Sequence, residues 1–342
     1  MTPPSSGVPE VVTASTSLQA ALDAYDVVRL PRKESPHTTD ARRRDVAVLL
    51  PRLRRFAGEE LLVADLTVRA LRAAFAEFAA DHARSSIARC WSTWNGFCSF
   101  LVAEDALPGN PMGGVQRPHP DRTGPKPLRG ERTPELLLYS VALDRPGARD
   151  PWPERDLAVV ATLLVSGIRS AELLGLRVGD LAGADGDQRL RVLGKGNAER
   201  SVPVEAALAE VLQTYLASRR ARFACPAVLP LDAAMLVDTR GAALTRNQLQ
   251  YLVRTAYRAA GIHDRVARGA SVHALRHTFA TEVVAAGGSA VEIMRLLGHQ
   301  SLTTSQQYID VAAQELRSAA AGNRTYAALR GVSAGSSVSA QG

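Results

Sequence analysis

The chain has 342 residues, of which 46% are hydrophobic, and this size and apolar content suit two domains that each bury a core. Its 41 Lys and Arg residues against 34 Asp and Glu residues give a net charge of +7, which favours a polyanionic partner only weakly. The odd and widely spaced set of Cys90, Cys98 and Cys225 argues against a disulfide framework and against a zinc site.

The N-terminal segment, residues 1–37, lacks the basic start and apolar run of a signal peptide. Its first half is rich in Ser, Thr and Pro, so we predict that the segment is flexible. No stretch of the sequence approaches the roughly 18 consecutive apolar residues of a membrane span. We therefore expect a cytoplasmic protein that does not enter a membrane.

Helical periodicity dominates residues 38–112. Apolar residues recur at helical spacing in three stretches, and Pro51 is expected to kink or split the first of them. The second stretch begins after Asp65 or Thr67, either of which is a suitable N-cap. The third carries two tryptophans at core spacing and ends near the Pro-Gly-Asn-Pro sequence at 108–111. We predict a helical domain of about four helices.

Residues 113–132 are basic and rich in proline, which is typical of an interdomain linker. Helix resumes at Thr133, and we predict a mostly helical second domain over 133–322, followed by a flexible tail over 323–342. Alternating apolar residues on both sides of the Gly-Lys-Gly-Asn sequence at 194–197 predict a β-hairpin. Further helices are expected around 206–220, 245–260, 274–286 and 290–297.

The second domain ends in a group of residues that suits attack on a phosphodiester. A tyrosine hydroxyl is a poor nucleophile at neutral pH because its pKa is about 10, so neighbouring cations and imidazoles are needed to activate it. The sequence has no carboxylate cluster or Gly-rich Lys-Ser/Thr loop, so we predict no metal and no cofactor. Side chains must then supply the cations, and the planar, permanently charged arginine fork suits this task.

The candidate groups lie in four segments of the second domain. In one of them, His273 and Arg276 are spaced i, i+3 at a helix start, so both can face the same site. In another, Arg169 lies where a buried helix ends, and Glu172 follows at a spacing that suits an orienting pair. The predicted catalytic residues, in chain order, are Arg169, Lys195, His273, Arg276, His299 and Tyr308, with Glu172 in support.

Each candidate taken singly also has a purely structural explanation. Arg169 and Glu172 would form an ordinary helix-end salt bridge, and Lys195 would be an exposed hairpin lysine. His299 follows a glycine and suits a helix C-cap, while Tyr308 suits a packing role. His277 follows Arg276 directly and would point elsewhere on the helix, so we interpret it as structural.

Taken together, the four segments resemble the tyrosine recombinase (phage integrase) family. They read Leu-Leu-Val-Ser-Gly-Ile-Arg-Ser-Ala-Glu-Leu, Leu-Gly-Lys-Gly-Asn-Ala-Glu-Arg-Ser-Val-Pro, His-Ala-Leu-Arg-His-Thr-Phe-Ala-Thr and Leu-Leu-Gly-His-Gln-Ser-Leu-Thr-Thr-Ser-Gln-Gln-Tyr. They occur in the family's order across residues 160–310, and the region 38–112 is similar to the family's core-binding domain. The short N-terminal segment resembles that of the two-domain type, which includes Xer-like recombinases and mobile-element integrases.

The resemblance implies a role for each candidate. Tyr308 would attack the scissile phosphate and form a 3′-phosphotyrosine, releasing a 5′-hydroxyl. Arg169 and Arg276 would hold the non-bridging oxygens, and Lys195 would protonate the leaving oxygen. His273 would take part in proton transfer with Tyr308.

Two further roles follow from the same resemblance. His299 would hydrogen-bond the phosphate, and Glu172 would buttress Arg169. Losing either arginine should slow cleavage by roughly 10²-fold or more.

The resemblance also implies a fold and an assembly. The expected fold is mainly α with a small β-hairpin or sheet, in which a helical core-binding domain and a mostly helical catalytic domain form a C-shaped clamp on DNA. Four copies would join two double-stranded DNA core sites and exchange strands through a Holliday junction, from a free monomer or dimer. A helix at 312–321 would dock on a neighbouring copy. The need for an accessory directionality factor is left open.

Several functions fit this expectation. The first is integration or excision of a mobile element by a bacterial or phage-encoded recombinase, and the alternative is Xer-like resolution of chromosome or plasmid dimers. A type IB topoisomerase-like enzyme would use the same chemistry without exchanging sites. A non-catalytic DNA-binding protein on the same scaffold is a fourth class, although it has no need for all six candidate groups.

Basic residues outside the predicted active site are candidates for contact with the DNA backbone. They cluster in the first predicted helix, where a DNA clamp needs a basic surface, and the alternative is a solvated helix face. The set comprises Arg42, Arg43, Arg44, Arg54, Arg55, Arg89, Lys126 in the linker and Arg246 near the start of a later helix.

Overall fold

The computed structural model describes residues 11–32, 34, 36–118, 124–130, 132–143, 150–184, 186–194, 198–223, 228–298, 301–302 and 304–310. The chain divides into two compact units after Thr123, a position inside the predicted linker. Among the described residues, no helix is both long and apolar enough to span a bilayer. The described part is mainly helical with one small sheet, which confirms the predicted fold class.

The first unit is a helical bundle. Its helices are α1 (Leu18–Val28), α2 (Pro36–Ala57), α3 (Val68–Asp81) and α4 (Arg84–Ala103). Thr67 caps α3, since its side chain accepts a hydrogen bond from the backbone N–H of Ala70. Pro51 lies inside one continuous helix α2 and does not split it. Trp94 and Phe97 of α4 are fully buried at the centre of this core.

Helix α1 corrects the prediction that residues 1–37 are flexible. Ser17 caps the helix by accepting a hydrogen bond from Ala20 N, and Leu18 and Tyr25 enter the core on its inner face. The Ser- and Thr-rich stretch before the helix suggested disorder, yet the apolar spacing that follows Ser17 is that of an amphipathic helix. Residues 1–10 lie outside the described residues.

The second unit packs helices around an apolar helix and a small sheet. Its helices are α5 (Thr133–Ala142), α6 (Pro153–Ser166), α7 (Ser170–Gly175), α8 (Ala206–Phe223), α9 (Arg246–Ala259), α10 (Ser271–Ala285) and α11 (Ala290–Leu297). Helix α6 is almost wholly buried against α5, α8 and α10, because it is apolar around most of its circumference. The residues 304–310 are also helical.

Three antiparallel strands form the sheet in the order β1 (Leu181–Ala182), β2 (Arg189–Leu193) and β3 (Glu199–Pro203). The β2–β3 pair is the predicted hairpin, and in its register Leu190 lies opposite Val202 while Val192 lies opposite Arg200. Because side chains alternate along a strand, one face of the hairpin enters the core and the other meets solvent. Arg200 therefore lies on the same face as Val202.

Candidate active site

The turn between α6 and α7 places Arg169 at the edge of the core. Gly167 ends α6 with φ +61°, the left-handed conformation that favours glycine. A Cβ atom at this position would lie 2.2 Å from Cδ1 of Phe279 and 2.7 Å from Cδ2 of Leu297, so a larger residue would force these two side chains to move. The chain then reaches Arg169, which is the N-cap residue of α7.

Glu172 is the buried carboxylate beside this turn. Its Oε2 accepts a hydrogen bond from the backbone N–H of Arg169 at 2.6 Å, which is the usual role of a glutamate at this position of a helix. Its Oε1 accepts one from Nη1 of Arg169 at 2.8 Å. Burial alone would raise the pKa of Glu172, but hydrogen bonds from Arg200 and then from Arg169 outweigh it and lower the pKa to about 2. Glu172 is therefore ionised at neutral pH.

Arg276 of α10 is buried, with only 6% of its surface exposed. Its Nη1 donates to the carbonyl of Gly167 at 2.5 Å and its Nη2 to the carbonyl of Leu297 at 2.7 Å. Burial, and next the charge of Arg169, lowers the pKa of Arg276 to about 10, so the guanidinium keeps its charge at neutral pH.

The two arginines meet at the C-terminal end of α11. Nη2 of Arg169 donates to the carbonyl of Gly298 at 3.0 Å, and Nη2 of Arg276 donates to the preceding carbonyl, that of Leu297. Carbonyls at a helix end lack intrahelical partners and carry partial negative charge, so they are natural acceptors for guanidinium groups. Two cations from different helices are thereby held on neighbouring backbone carbonyls.

Tyr308 lies next to this arginine pair in an apolar cluster. It shares this cluster with Ala280, Ile293 and Leu297, and only 5% of the residue is exposed. Burial raises the pKa of Tyr308 above its usual value, and the charges of Arg276 and Arg169 act in the opposite direction. The phenol therefore keeps its proton at neutral pH, and its attack on a phosphate requires that proton to leave.

His277 contacts Tyr308, a pairing that our interpretation of His277 as a structural residue did not include. Its Nδ1 lies 2.8 Å from the Tyr308 hydroxyl. Burial, followed by the neighbouring His273 and Arg276, lowers the pKa of His277 to about 4, so this ring is neutral at neutral pH. The i, i+1 spacing turns His277 away from the side of α10 that carries Arg276, and the Tyr308 hydroxyl meets the His277 ring there.

His273 lies on α10 one helical turn before His277. It is exposed at the start of α10. Partial enclosure of the ring, and next the charges of Arg276, Arg246 and Arg169, lowers the pKa of His273. The His273 ring therefore lies close enough to these three arginines to be affected by their charges.

Two predicted residues, Lys195 and His299, lie outside the described residues, as do Cys225 and residues 311–342. The base of the hairpin loop is described on both sides of Lys195, where the backbone N–H of Gly194 donates to the carbonyl of Ala198 at 2.7 Å. A Cβ atom at Gly194 would lie 3.6 Å from Oε1 of Glu172. The loop that carries Lys195 thus starts beside the buried carboxylate.

Sequence reasoning missed Arg200, which binds Glu172 from the other side. Its Nη1 and Nη2 donate to Oε1 and Oε2 of that carboxylate, each at 2.8 Å. The alternation of side chains along β3 could have predicted this inward position, because it places Arg200 on the same face as Val202. A charge on an inward face needs a buried partner of opposite sign.

The predicted DNA-contacting arginines of the first unit fall into two groups. Arg42 is buried and binds the carboxylates of Asp26 and Glu34, an environment that does not suit the DNA contact predicted for it. Arg89 binds the buried carboxylate of Asp45, although 54% of its side chain is exposed. The exposed members on α2 are Arg43, Arg44, Arg54 and Arg55, the last of which forms an ion pair with Glu77.

The two predicted DNA contacts of the second unit lie near the site. The charge of Lys126 lowers the pKa of His277, and that of Arg246 lowers the pKa of His273. The segment of Lys126 is fixed to α10, because the backbone N–H of Leu128 donates to Oγ1 of Thr278 at 2.9 Å. Both Lys126 and Arg246 are exposed.

Comparison with known proteins identifies the family of this chain. The model of the phage integrase family matches residues 137–315, which is more than half of the chain and includes Arg169, Arg276 and Tyr308. The chain belongs to the phage integrase family. It is a tyrosine recombinase, an enzyme class that cleaves and rejoins DNA at specific sites.

Relatives of similar length support this assignment. The recombinase is 35% identical over 309 residues to tyrosine recombinase XerC 1 of Ralstonia nicotianae. The matched region covers 86% of this chain and 90% of the relative. It is 33% identical over 306 residues to tyrosine recombinase XerC of Myxococcus xanthus, which covers 88% and 96% of the two chains.

Solved structures share the fold of this recombinase at low sequence identity. The XerH site-specific recombinase in a post-cleavage complex with its palindromic difH substrate matches 88% of this chain and 84% of its own, with a TM-score of 0.69 and 19% identity. A lambda integrase dimer bound to a COC′ core site matches 86% and 77%, with a TM-score of 0.64 and 16% identity. These likenesses confirm the fold that the sequence predicted.

Proposed function

We propose that this recombinase cleaves DNA by attack of the Tyr308 hydroxyl on a phosphate held by Arg169 and Arg276. The convergence of the two guanidinium groups on the adjacent carbonyls of Leu297 and Gly298, beside Tyr308, carries this proposal. Planar arginine forks bind phosphate oxygens through paired hydrogen bonds and stabilise the added charge of a pentacoordinate phosphorus.

The proposed reaction is an exchange of one phosphoester bond for another. Oη of Tyr308 forms a bond to phosphorus, and the bond from phosphorus to the 5′-oxygen breaks, which leaves a 3′-phosphotyrosine and a 5′-hydroxyl. Because the ester energy is kept in the phosphotyrosine, the reverse attack by a 5′-hydroxyl from another strand rejoins DNA without a nucleotide cofactor.

Two protons must move in this reaction. We assign the proton of Tyr308 to His277, because Nδ1 lies within hydrogen-bond distance and the ring is neutral. The 5′-oxygen gains a proton, for which the family resemblance suggests Lys195. The resemblance also suggests that His273, which is exposed beside the arginines, takes part in proton transfer with Tyr308 and that His299 hydrogen-bonds the phosphate.

Covalent capture tests the assignment of Tyr308. Fragmented DNA from the organism that encodes the chain is incubated with the full-length protein, denatured, and searched for DNA that stays bound to protein. A synthetic duplex of the captured sequence, nicked close to the cleavage point so that the released strand diffuses away, then serves as substrate. Wild type should accumulate a detergent-stable adduct that Tyr308→Phe does not form.

Tyr139→Phe is the matched control, because Tyr139 is 71% exposed on α5 and lies outside the proposed site. It should form the adduct as wild type does. An adduct that persists in Tyr308→Phe would overturn the assignment, and DNA binding without any adduct would favour a non-catalytic DNA-binding role.

We propose further that the enzyme exchanges strands between two sites in a tetramer that passes through a Holliday junction. A lambda integrase tetramer bound to a Holliday junction has a related fold, with a TM-score of 0.62 over 86% of this chain. Mass photometry of the full-length protein with two duplex sites should detect four copies on two DNA segments. A complex that never exceeds two copies would contradict this assembly.

Two biological roles remain candidates. The relatives named XerC match nearly their whole length, which favours Xer-like resolution of chromosome or plasmid dimers over integration of a mobile element. A plasmid that carries two captured sites in direct repeat should then resolve into two circles. Efficient insertion of a circle into a second plasmid, with little resolution, would favour the mobile-element role.

A further inference from the structure

Arg200 lies inside the second unit, although its neighbours along β3, Glu199 and Ser201, are exposed. It faces inward from β3 opposite Val192, and only 15% of its side chain is exposed. The neighbouring strand offers a contrast, because Arg191 of β2 points outward, pairs with Asp180 and is 60% exposed. Two arginines of one hairpin therefore have opposite environments.

The guanidinium of Arg200 binds Glu172 through both of its terminal nitrogens. Nη1 donates to Oε1 and Nη2 to Oε2, each at 2.8 Å, which is the planar bidentate geometry that fixes a carboxylate in orientation as well as position. Arg169 binds the same two oxygens, with its backbone N–H on Oε2 and its Nη1 on Oε1. Glu172 is thus shared between two arginines.

The same side chain lies against the end of α11. Nε of Arg200 donates to the carbonyl of Leu296 at 3.2 Å. A Cβ atom at Gly298 would lie 3.0 Å from Nη1, 3.1 Å from Cδ and 3.2 Å from Cζ of Arg200, so the side chain packs directly on the Gly298 backbone. The carbonyl of Gly298 is the acceptor for Nη2 of Arg169. Arg200 therefore contacts both of the groups that bind the Arg169 guanidinium.

We propose that Arg200 is a positioning residue for Arg169, because it fixes the Glu172 carboxylate and the Gly298 backbone in the places from which they orient that guanidinium. The inference rests on the proposed function, in which Arg169 holds the scissile phosphate. Arg200 itself is turned into the hairpin–α11 contact and acts through its neighbours.

Loss of Arg200 removes two of the four hydrogen bonds that Glu172 accepts. The carboxylate can then rotate, and the Arg169 fork loses its fixed direction toward the phosphate. Small displacements of a catalytic group and losses of its supporting contacts cost about 10- to 100-fold in rate. Arg200→Gln should therefore slow cleavage by about that factor while DNA binding changes little.

The test compares Arg200→Gln with Arg191→Gln in the full-length protein. Both variants remove one positive charge from the same hairpin, but only Arg200 binds Glu172. Single-turnover cleavage of the nicked captured duplex is measured at saturating protein. We expect a slow Arg200→Gln, a control close to wild type, and partial recovery in Arg200→Lys, which keeps the charge but not the bidentate fork.

A second substrate separates positioning of Arg169 from general damage to the fold. A methylphosphonate at the scissile position carries one negative charge fewer, so its pentacoordinate state depends less on guanidinium groups. The loss caused by Arg200→Gln, like that caused by Arg169→Gln, should shrink to about threefold or less on this substrate. Damage to the fold would slow both substrates equally.

A third substrate separates action through Arg169 from action through the hairpin loop. A sulfur in place of the 5′-oxygen leaves readily as a thiolate and needs no proton donor. It should rescue Lys195→Ala and leave the loss in Arg200→Gln unchanged.

The inference is overturned by wild-type cleavage in Arg200→Gln, by an equal loss on the phosphate and methylphosphonate substrates, or by rescue with the sulfur substrate. If Arg200→Gln does not fold, the same comparisons are made with Arg200→Lys. If wild type forms no Tyr308-dependent adduct, the proposed function fails and this inference fails with it. If wild type forms the adduct and the Arg200 variants match it, only the positioning role is rejected.

Discussion

The two sides of the site respond to burial in opposite ways. On one side, Glu172 is buried between Arg169 and Arg200 and stays ionised, with a pKa of about 2. On the other, the half-buried His277 and the buried Tyr308 stay neutral, with a pKa of about 4 for the histidine, which lies near the cations Arg276 and Lys126. Burial disfavours charge in both places, and at Glu172 the hydrogen bonds from two arginines outweigh it. One side therefore holds fixed charge, and the other holds the exchangeable protons.

Arg276 lies between the two sides, and its replacement should have the largest effect. Arg276→Lys keeps a charge, but a lysine ammonium cannot span the carbonyls of Gly167 and Leu297 as the planar fork does. We expect single-turnover cleavage to fall by about 10²-fold or more, equivalent to about 3 kcal/mol in the barrier. Arg189→Lys, at an exposed position on β2, is the control and should cleave as wild type does. A rate within a few fold of wild type in Arg276→Lys would contradict this importance of the fork.

Glu172→Gln removes the charge of the buried carboxylate and keeps the shape of its side chain. Because the folded pKa of about 2 lies below the unfolded value of about 4.3, ionised Glu172 stabilises the protein above pH 4.5, and this contribution disappears as the pH falls toward 2. The variant should unfold about 2 to 3 kcal/mol more easily than wild type at pH 7, a figure reduced for the partial exposure of Arg169. Urea unfolding at several pH values should show the two proteins converge below pH 4.5. A gap that persists unchanged at pH 2 would mean that the charge is not its cause.

His277→Gln tests whether the His277 ring is held neutral, over a higher pH range than the one used for Glu172. Since the folded pKa of about 4 lies below the unfolded value of about 6.5, the unfolded chain takes up a proton first, and wild type loses stability as the pH falls from 6.5 to 4. A glutamine cannot titrate, so the variant should gain about 2 kcal/mol relative to wild type over this range. Urea unfolding curves at pH 7 and pH 4 provide the measurement. If the difference between the two proteins is the same at both values, His277 is not held neutral.

The first unit contains a buried and an exposed arginine on one helix, and their replacement should have smaller effects. Arg42 is buried on the carboxylates of Asp26 and Glu34, whereas Arg54 is exposed on the same helix. Arg42→Gln should lower the free energy of unfolding by about 1 to 2 kcal/mol, and Arg54→Gln by less than about 0.5 kcal/mol. In DNA-binding titrations against salt, Arg54→Gln should reduce the slope by about one and Arg42→Gln should not. The reverse assignment would show that burial does not decide which arginine reaches DNA.

Regular spacing made most of the fold predictable. The apolar periods of α9 and α11, and the alternation on both sides of the Gly-Lys-Gly-Asn turn, led to the observed elements with small shifts at their ends. Helix α1 was missed because the composition of the residues before Ser17 was extended past a clear amphipathic pattern. The composition of a segment gives only the number of apolar residues in it, whereas an amphipathic helix depends on which positions are apolar.

The site was predictable where residues act near their own motif. Arg169 and Glu172 are neighbours on one turn, and their pairing follows from local geometry. The pairing of His277 with Tyr308 and of Arg200 with Glu172 depends on how distant elements pack. Spacing along one helix cannot give the direction from which another element approaches, so these contacts required the structure.

The attachment of both arginines to successive peptide groups limits how α11 can vary. Each added or removed residue would turn the end of this helix by about 100° and move it by about 1.5 Å, which would carry the carbonyls of Leu297 and Gly298 away from their donors. Substitutions on its outer surface, such as at Val291, leave those carbonyls in place. Insertions and deletions in α11 should therefore be far rarer among functional variants than changes of side chain, a pattern that deep sequencing of a selected library would detect.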